Sequence, residues 1–234
     1  MRGKKLIFVF WGILLTINGF AQADRFEQRY SLLVSRLGES GVGVETLIDN
    51  WEAADSLNPK VYMARFNYWL SKSRGDKVVQ KYQKKYLGMA PLLSLKDSTG
   101  VDVYYFQESF YDDEGYGNAI KAIDTYDASM DVNSFFLNGL QVWLDKSTRV
   151  GLMNSLNIEK TSGKETSTLW FGNIKLDINT EAAIQMLSAL ELYALKCYNK
   201  TAEHKVNIEN MTSVEDVVNY NFTEGYPDKL NFSI

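Results

Sequence analysis

The segment from Thr180 to Asn199 constrains the fold most, because Ala183, Leu187, Leu190, Ala194 and Cys197 recur at threes and fours while Met186 and Tyr193 widen the stripe. Apolar residues at that spacing line one face of a helix, and a helix this apolar is a core element. Further stripes supply its partners. Phe26, Tyr30, Leu33 and Leu37 mark one helix, which Gly38, Gly41 and Gly43 end. Leu47, Ile48, Trp51 and Ala54 mark a second. It stops at Ser56-Leu57-Asn58-Pro59, because the residue before a proline is steered out of the helical region. A third runs from about Val61 through Tyr62, Phe66, Trp69 and Leu70.

Spacing links the second helix to a later one. Leu47, Trp51, Ala54 and Pro59 follow one another at intervals of four, three and five, and the same intervals return 72 residues on at Ala119, Ile123, Tyr126 and Asp131. An internal echo of this kind is the mark of repeated helical units. It bears on Asn138-Gly139, which sits between Phe135-Phe136-Leu137 and Leu140-Gln141-Val142-Trp143-Leu144. Locally these residues form a β-hairpin, since Asn-Gly accepts the positive φ of its turn. In register with the echo, 134–144 is a helix with Gly139 at a close approach, and the register favours the helix.

The remaining segments are less regular. Lys72 to Lys85 is basic and reads as a solvated helix face. Pro91 to Gly100 reads as a loop, and Val101 to Phe106 as a short strand or the approach to a helix. Tyr111 to Gly117 is acidic and glycine-bearing, but it lacks the alternate-residue spacing and closing Glu of a Ca²⁺ loop, so a solvated loop is expected. Ser147 opens a helix through Val150, Met153 and Leu156 that ends before Ser162-Gly163. Thr166 to Ile178 is either a second hairpin around Gly172-Asn173 or a loop. Thr212-Ser213-Val214-Glu215 matches a capping box and predicts a last short helix.

Trp51 through Asn58-Pro59, Val61-Tyr62-Met63-Ala64-Arg65-Phe66-Asn67-Tyr68 and Leu95-Lys96-Asp97-Ser98-Thr99-Gly100, together with the echo and an export signal, resemble exported tetratricopeptide-type proteins of Bacteroides-like gut bacteria. The resemblance is clearest over 24–144. It implies a mainly α fold of irregular, stacked helical hairpins, with one or two short β-hairpins admitted in the second half. It offers no catalytic residues, because the repeat is a scaffold.

The export signal is Arg2, Lys4 and Lys5 ahead of an apolar run from Leu6 to Leu15, then Ala21 and Ala23 in the small-x-small pattern of a cleavage site. The run is shorter than the ~20 residues of a spanning helix. A signal over 1–23 and a helical domain over 24–234 are therefore expected, in the periplasm, at the cell surface or secreted from a Gram-negative bacterium. Losing three basic residues moves the formal charge from −4 to −7. An acidic product argues against a nucleic-acid partner. Asn199, Asn210, Asn221 and Asn231 stand in glycan-acceptor triplets, which matter only in a eukaryotic secretory pathway.

Function follows mostly from exclusions. One cysteine, Cys197, and one histidine, His204, rule out an internal disulfide and a His-rich metal site. No phosphate loop, nucleophile elbow or zinc-protease motif is present, and no cofactor is implied. Cys197 lies in an apolar stripe as a small buried hydrophobe, and His204 reads as a surface or packing residue. The expected function is a non-enzymatic interaction module for a protein or peptide, with Trp51, Tyr62, Tyr68 and Trp69 as candidate anchors beside Phe66, although the helix spacing assigns several of them to packing. An accessory component of a surface nutrient- or glycan-uptake system would need the same kind of surface. A carboxylate-based hydrolase would need two acids, for which Asp112/Asp113 and Glu215/Asp216 are the pairs available.

Overall fold

A computed structural model describes residues 25–211 and 213–234. The expected leader, with Ala21 and Ala23, lies outside the described residues. Among the described residues, seven helices account for 51% and three small sheets for 21%. The architecture is thus mixed α/β, and the expectation of mainly α, stacked helical hairpins is overturned.

The first helices stand where the stripes put them. Helix α1 covers 25–37, α2 Val44–Ala54 and α3 Pro59–Ser73. Asn58 caps α3 by accepting from the Lys60 amide at 3.1 Å, and Pro59 takes the first-turn position where no amide is missed. From Arg74 the chain leaves the helical layer as strand β1 (Arg74–Lys81), returns through β2 (Leu93–Lys96) and β3 (Asp102–Tyr111), and re-enters it as α4 (Asp113–Ala128). Helices α3 and α4 pack against each other along their length.

The second half begins with strands β4 (Phe135–Leu137) and β5 (Leu140–Val142). They form a hairpin, so the helix expected over 134–144 is not there. Asn138 at φ 49° and Gly139 at φ 80° are the two positive-φ positions of a tight turn. A partner from far along the chain adds to that local preference. Strand β8 (Asn231–Phe232) pairs in parallel with β4, which no echo in the first half could foretell.

Helix α5 (Lys146–Thr161) follows, then strands β6 (Thr166–Phe171) and β7 (Ile174–Asn179), which form the second hairpin that the sequence left open. Asp145 caps α5, and its carboxyl is held well below the usual carboxylate range, chiefly by bonds from the Thr148 hydroxyl and amide. The apolar helix is α6 (Thr180–Glu209), 30 residues long rather than ending at Asn199. At 1.5 Å per residue it spans about 45 Å. Helix α7 (Val214–Asn219) is capped by Ser213, one position later than the capping box proposed, through a 3.0 Å bond from the Asp216 amide.

Two cores result. The first joins α1 to α4 with the later part of α6 and the C-terminal segment, around Trp51, Phe66, Ile123, Tyr193 and Phe222. The second packs the two hairpins and α5 on the earlier part of α6, around Phe135, Leu156, Phe171, Leu187 and Leu190. Helix α6 is the spine of both.

Candidate interaction surface

The three-stranded sheet β1-β3-β2 belongs to neither core. Its strands pair antiparallel, with Arg74 opposite Tyr111, Lys81 opposite Tyr104 and Leu95 opposite Val103. None of them packs lengthwise on a helix. The sheet is tied at its root, where the Asp112 amide donates to the Ser73 carbonyl at 2.9 Å and Tyr111 reaches the first core. A side chain at Gly115 would bring its Cβ within 2.8 Å of the Ser73 Cα, so glycine is what allows α4 to start against the end of α3. Asp112 caps α4 through a 2.7 Å bond from the Gly115 amide. Tyr111 to Gly117, expected as a solvated loop, is therefore a strand end and a helix start.

Residues opposite each other share a face. One face carries Lys77, Val79 and Lys81 with Tyr104, Phe106, Glu108 and Phe110; the other carries Val78, Leu93, Leu95, Val103 and Tyr105. The loop 82–92 folds over the first face. The Tyr86 ring lies 5.7 Å from that of Phe106 and shields it from water, and the Lys81 ammonium sits 4.4 Å from the Tyr86 ring centre. The loop closes in a turn in which the Met89 amide donates to the Tyr86 carbonyl at 2.9 Å, with Leu87 at φ 50° and Gly88 at φ 78°. A left-handed leucine is uncommon, and this one is 73% exposed. Tyr82, Val78, Leu92, Leu93 and Leu95 are exposed as well.

Charge separates the segment 77–96 from the rest of the chain; the whole sheet, 74–111, is +2 because Asp76, Asp97, Asp102 and Glu108 also lie in it. From Lys77 to Lys96 there are five lysines and no acid. With that run at +5, the rest of the chain after residue 23 carries −12. The basic stretch foreseen as a helix face is thus, beyond Ser73, a strand and a loop tip. Lys77 lies 3.7 Å from Glu108 across the strands.

The anchors proposed from sequence are elsewhere. Trp51, Tyr62 and Tyr68 are at most 5% exposed, Phe66 is fully buried and Trp69 is half-buried. Tyr62 donates to the Ser56 carbonyl at 2.8 Å and Tyr68 to Glu45 at 2.6 Å, while Lys72 covers the Trp69 ring at 4.6 Å. These side chains build the first core and form no exposed row. Of this sheet the sequence offers only Val101 to Phe106 as a possible strand, although a further signal stands beside it, twenty residues with five lysines, many apolar residues and no acid.

A cleft of about 560 Å³ lies beside Trp143, Arg149, Glu191 and Tyr198. Arg149 is buried, pairs with Glu191 at 2.6 Å, donates to the Leu144 carbonyl and stacks 4.8 Å from the Trp143 ring. Its charge is therefore matched within the protein. Asp127 lines the cleft; one of its carboxylate oxygens is buried without a hydrogen-bond partner, and burial pushes its pKa up. Both acid pairs sit at helix starts. Asp112 is a cap, and Asp113, Glu215 and Asp216 lie in first turns, where they complement the helix dipole.

Burial pushes the Cys197 thiol up to about 11, which leaves almost no thiolate at neutral pH. His204 is buried between the Tyr220 hydroxyl, 2.7 Å from Nδ1, and the Glu224 carbonyl, 3.0 Å from Nε2. It is a packing residue. Among the described residues no three His, Cys, Asp or Glu side chains converge as metal ligands. No described helix is long and apolar enough to cross a membrane. In comparisons with known proteins, the chain matches no family model, no curated protein and no solved structure.

Proposed function

We propose that the chain is an exported, non-enzymatic interaction module whose docking element is the three-stranded sheet, taking an acidic, extended segment of a partner protein along the outer edge of β1. The observation that carries this reading is that edge. Strand β1 is eight residues long, contains no proline and, among the described residues, pairs only with β3, so one row of its backbone groups has no described strand beside it. An added strand would be held by main-chain bonds along that row. Arg74, Lys77 and Lys81 lie along it. Lysines at an edge discourage pairing with a second, equally basic copy and attract a segment that carries Asp or Glu.

The non-enzymatic part of the reading rests on where the reactive groups lie. Cys197 and His204 are buried, and the acid pairs sit at helix starts. Nuclear magnetic resonance titration of the labelled chain with an extended peptide of alternating Glu and Val tests the docking. Shifts and new amide protection confined to 74–81 and its neighbour β3 are expected. Perturbation centred on the Trp143 cleft, or none at saturating peptide, would refute it.

A further inference from the structure

We propose that the tip of the sheet, residues 82–92 with its flanking lysines, docks on the surface of an anionic phospholipid bilayer. This goes beyond the strand-addition reading, since it uses the loop rather than the edge of β1 and does not require a protein partner. The tip meets both requirements of an interfacial site, which are apolar side chains that enter the acyl boundary and cations that meet the headgroups. Tyr82, Leu87, Met89 and Leu92 are exposed there, with Lys84 and Lys85 in the same loop and Lys81 at its start. None of these three lysines forms a salt bridge among the described residues, whereas Lys77 has Glu108. Leu87 is the most telling residue. Its left-handed backbone is one that glycine would hold without strain, yet the position carries a large apolar side chain aimed at solvent.

Charge complementarity selects the bilayer and fixes the orientation. An anionic surface repels the body, residues 24–73 and 112–234, which carries −9, and attracts the loop, which belongs to a run of +5. The sheet stands clear of both cores, so the tip reaches a membrane without bringing the acidic helices close to it. An acidic protein would match the lysines equally well but gives no reason for the exposed leucines and methionine around them.

The test is co-sedimentation of the full chain with vesicles of phosphatidylcholine alone and of phosphatidylcholine with phosphatidylglycerol, read as the ratio of the two partition coefficients. Residues 1–24 are then common to every sample. The ratio is expected to favour the anionic vesicles, to fall with added salt, and to drop at least tenfold in Lys84→Glu/Lys85→Glu. Lys121→Glu/Lys196→Glu makes the same change in net charge on the body and is expected to leave it unchanged. Leu87→Gly suits the turn at least as well, so it is expected to keep the fold by circular dichroism while partitioning several-fold less to anionic vesicles. A ratio near one for the native chain, equal effects of the two double variants, or binding to soluble polyglutamate but not to vesicles would each overturn the proposal. Peptide shifts at 74–81 without vesicle binding would leave strand addition standing and remove only this inference.

Discussion

The two cores and the projecting sheet are built from similar residues in opposite ways. In the cores, Trp51, Phe66, Phe135 and Phe222 are sealed by neighbours from distant parts of the chain. In the sheet, Val78, Leu93 and Leu95 are held mainly by strand pairing and face water, and Leu87 faces water from the loop beside them. Apolar content alone therefore does not tell a core from an exposed sheet. What distinguishes them is charge, since lysines crowd the sheet while the helices of the body carry most of the acids. The body is stabilised by burial, and the sheet exposes what burial would otherwise use.

The sharpest test of that contrast is Phe222→Ala. This ring packs on Phe66 at 5.5 Å and Tyr126 at 6.2 Å, so its loss is expected to cost about 4 kcal/mol in chemical denaturation. A cost under about 1 kcal/mol would mean that the C-terminal segment is only loosely part of the first core. Next is Arg149→Met, which keeps the packing on Trp143 but strands Glu191 and the Leu144 carbonyl. Because Glu191 is partly solvated, about 2 kcal/mol is expected, short of the full cost of breaking a buried pair.

His204 gives a pH test. Its folded pKa is depressed, first by burial and then by Lys200, so the unfolded chain takes up a proton that the folded chain resists. Its contribution is fully present above the unfolded value of 6.5 and is lost as pH falls below it, with a slope of at most about 1.4 kcal/mol per pH unit. His204→Gln is expected to flatten unfolding midpoints between neutrality and mild acid relative to the native chain; an unchanged slope would show that other groups set it. The smallest effects belong to the sheet. Val78→Ser and Leu93→Ser are each expected within about 0.5 kcal/mol of the native chain, since little apolar area leaves water at those sites on folding. A loss comparable to that of Phe222→Ala would mean that the open face is covered in solution.

Excision would join the two regions of the comparison in one experiment. Arg74 and Tyr111 lie opposite each other at the root, so a two-residue Asn-Gly turn can replace 75–110. The remaining helices are expected to keep their ellipticity, and a collapse of the fold would show that the sheet supports the body.

The helices were legible because α1, α2, α3 and α6 each carry a one-sided stripe, and those residues line the cores, apart from exposed positions such as Leu37 and Ala54. The echo was misleading in a specific way. Ala119, Ile123 and Tyr126 do repeat the burial of Leu47 and Trp51, since α4 packs on α3 as α2 does. But 38 residues of strands and loop, 74–111, separate α3 from α4, and a hairpin follows α4, so equal spacing did not mean equal architecture. Asn138-Gly139 carried the correct local signal, and the longer-range pattern outweighed it. The parallel pairing of β4 with β8 joins residues about 95 positions apart, which no local pattern reports. As for the site, aromatic content pointed to the sealed core, because composition records which residues are present and not which of them water reaches.

Helix α6 has a consequence of its own. Leu187 and Leu190 lie in one core, and Tyr193 and Cys197 in the other, less than two turns further along the same rod. Fraying of either half would cost the other its backbone template, so heat is expected to dismantle the two cores together. A molecule with two centres of gravity would then show a single calorimetric peak.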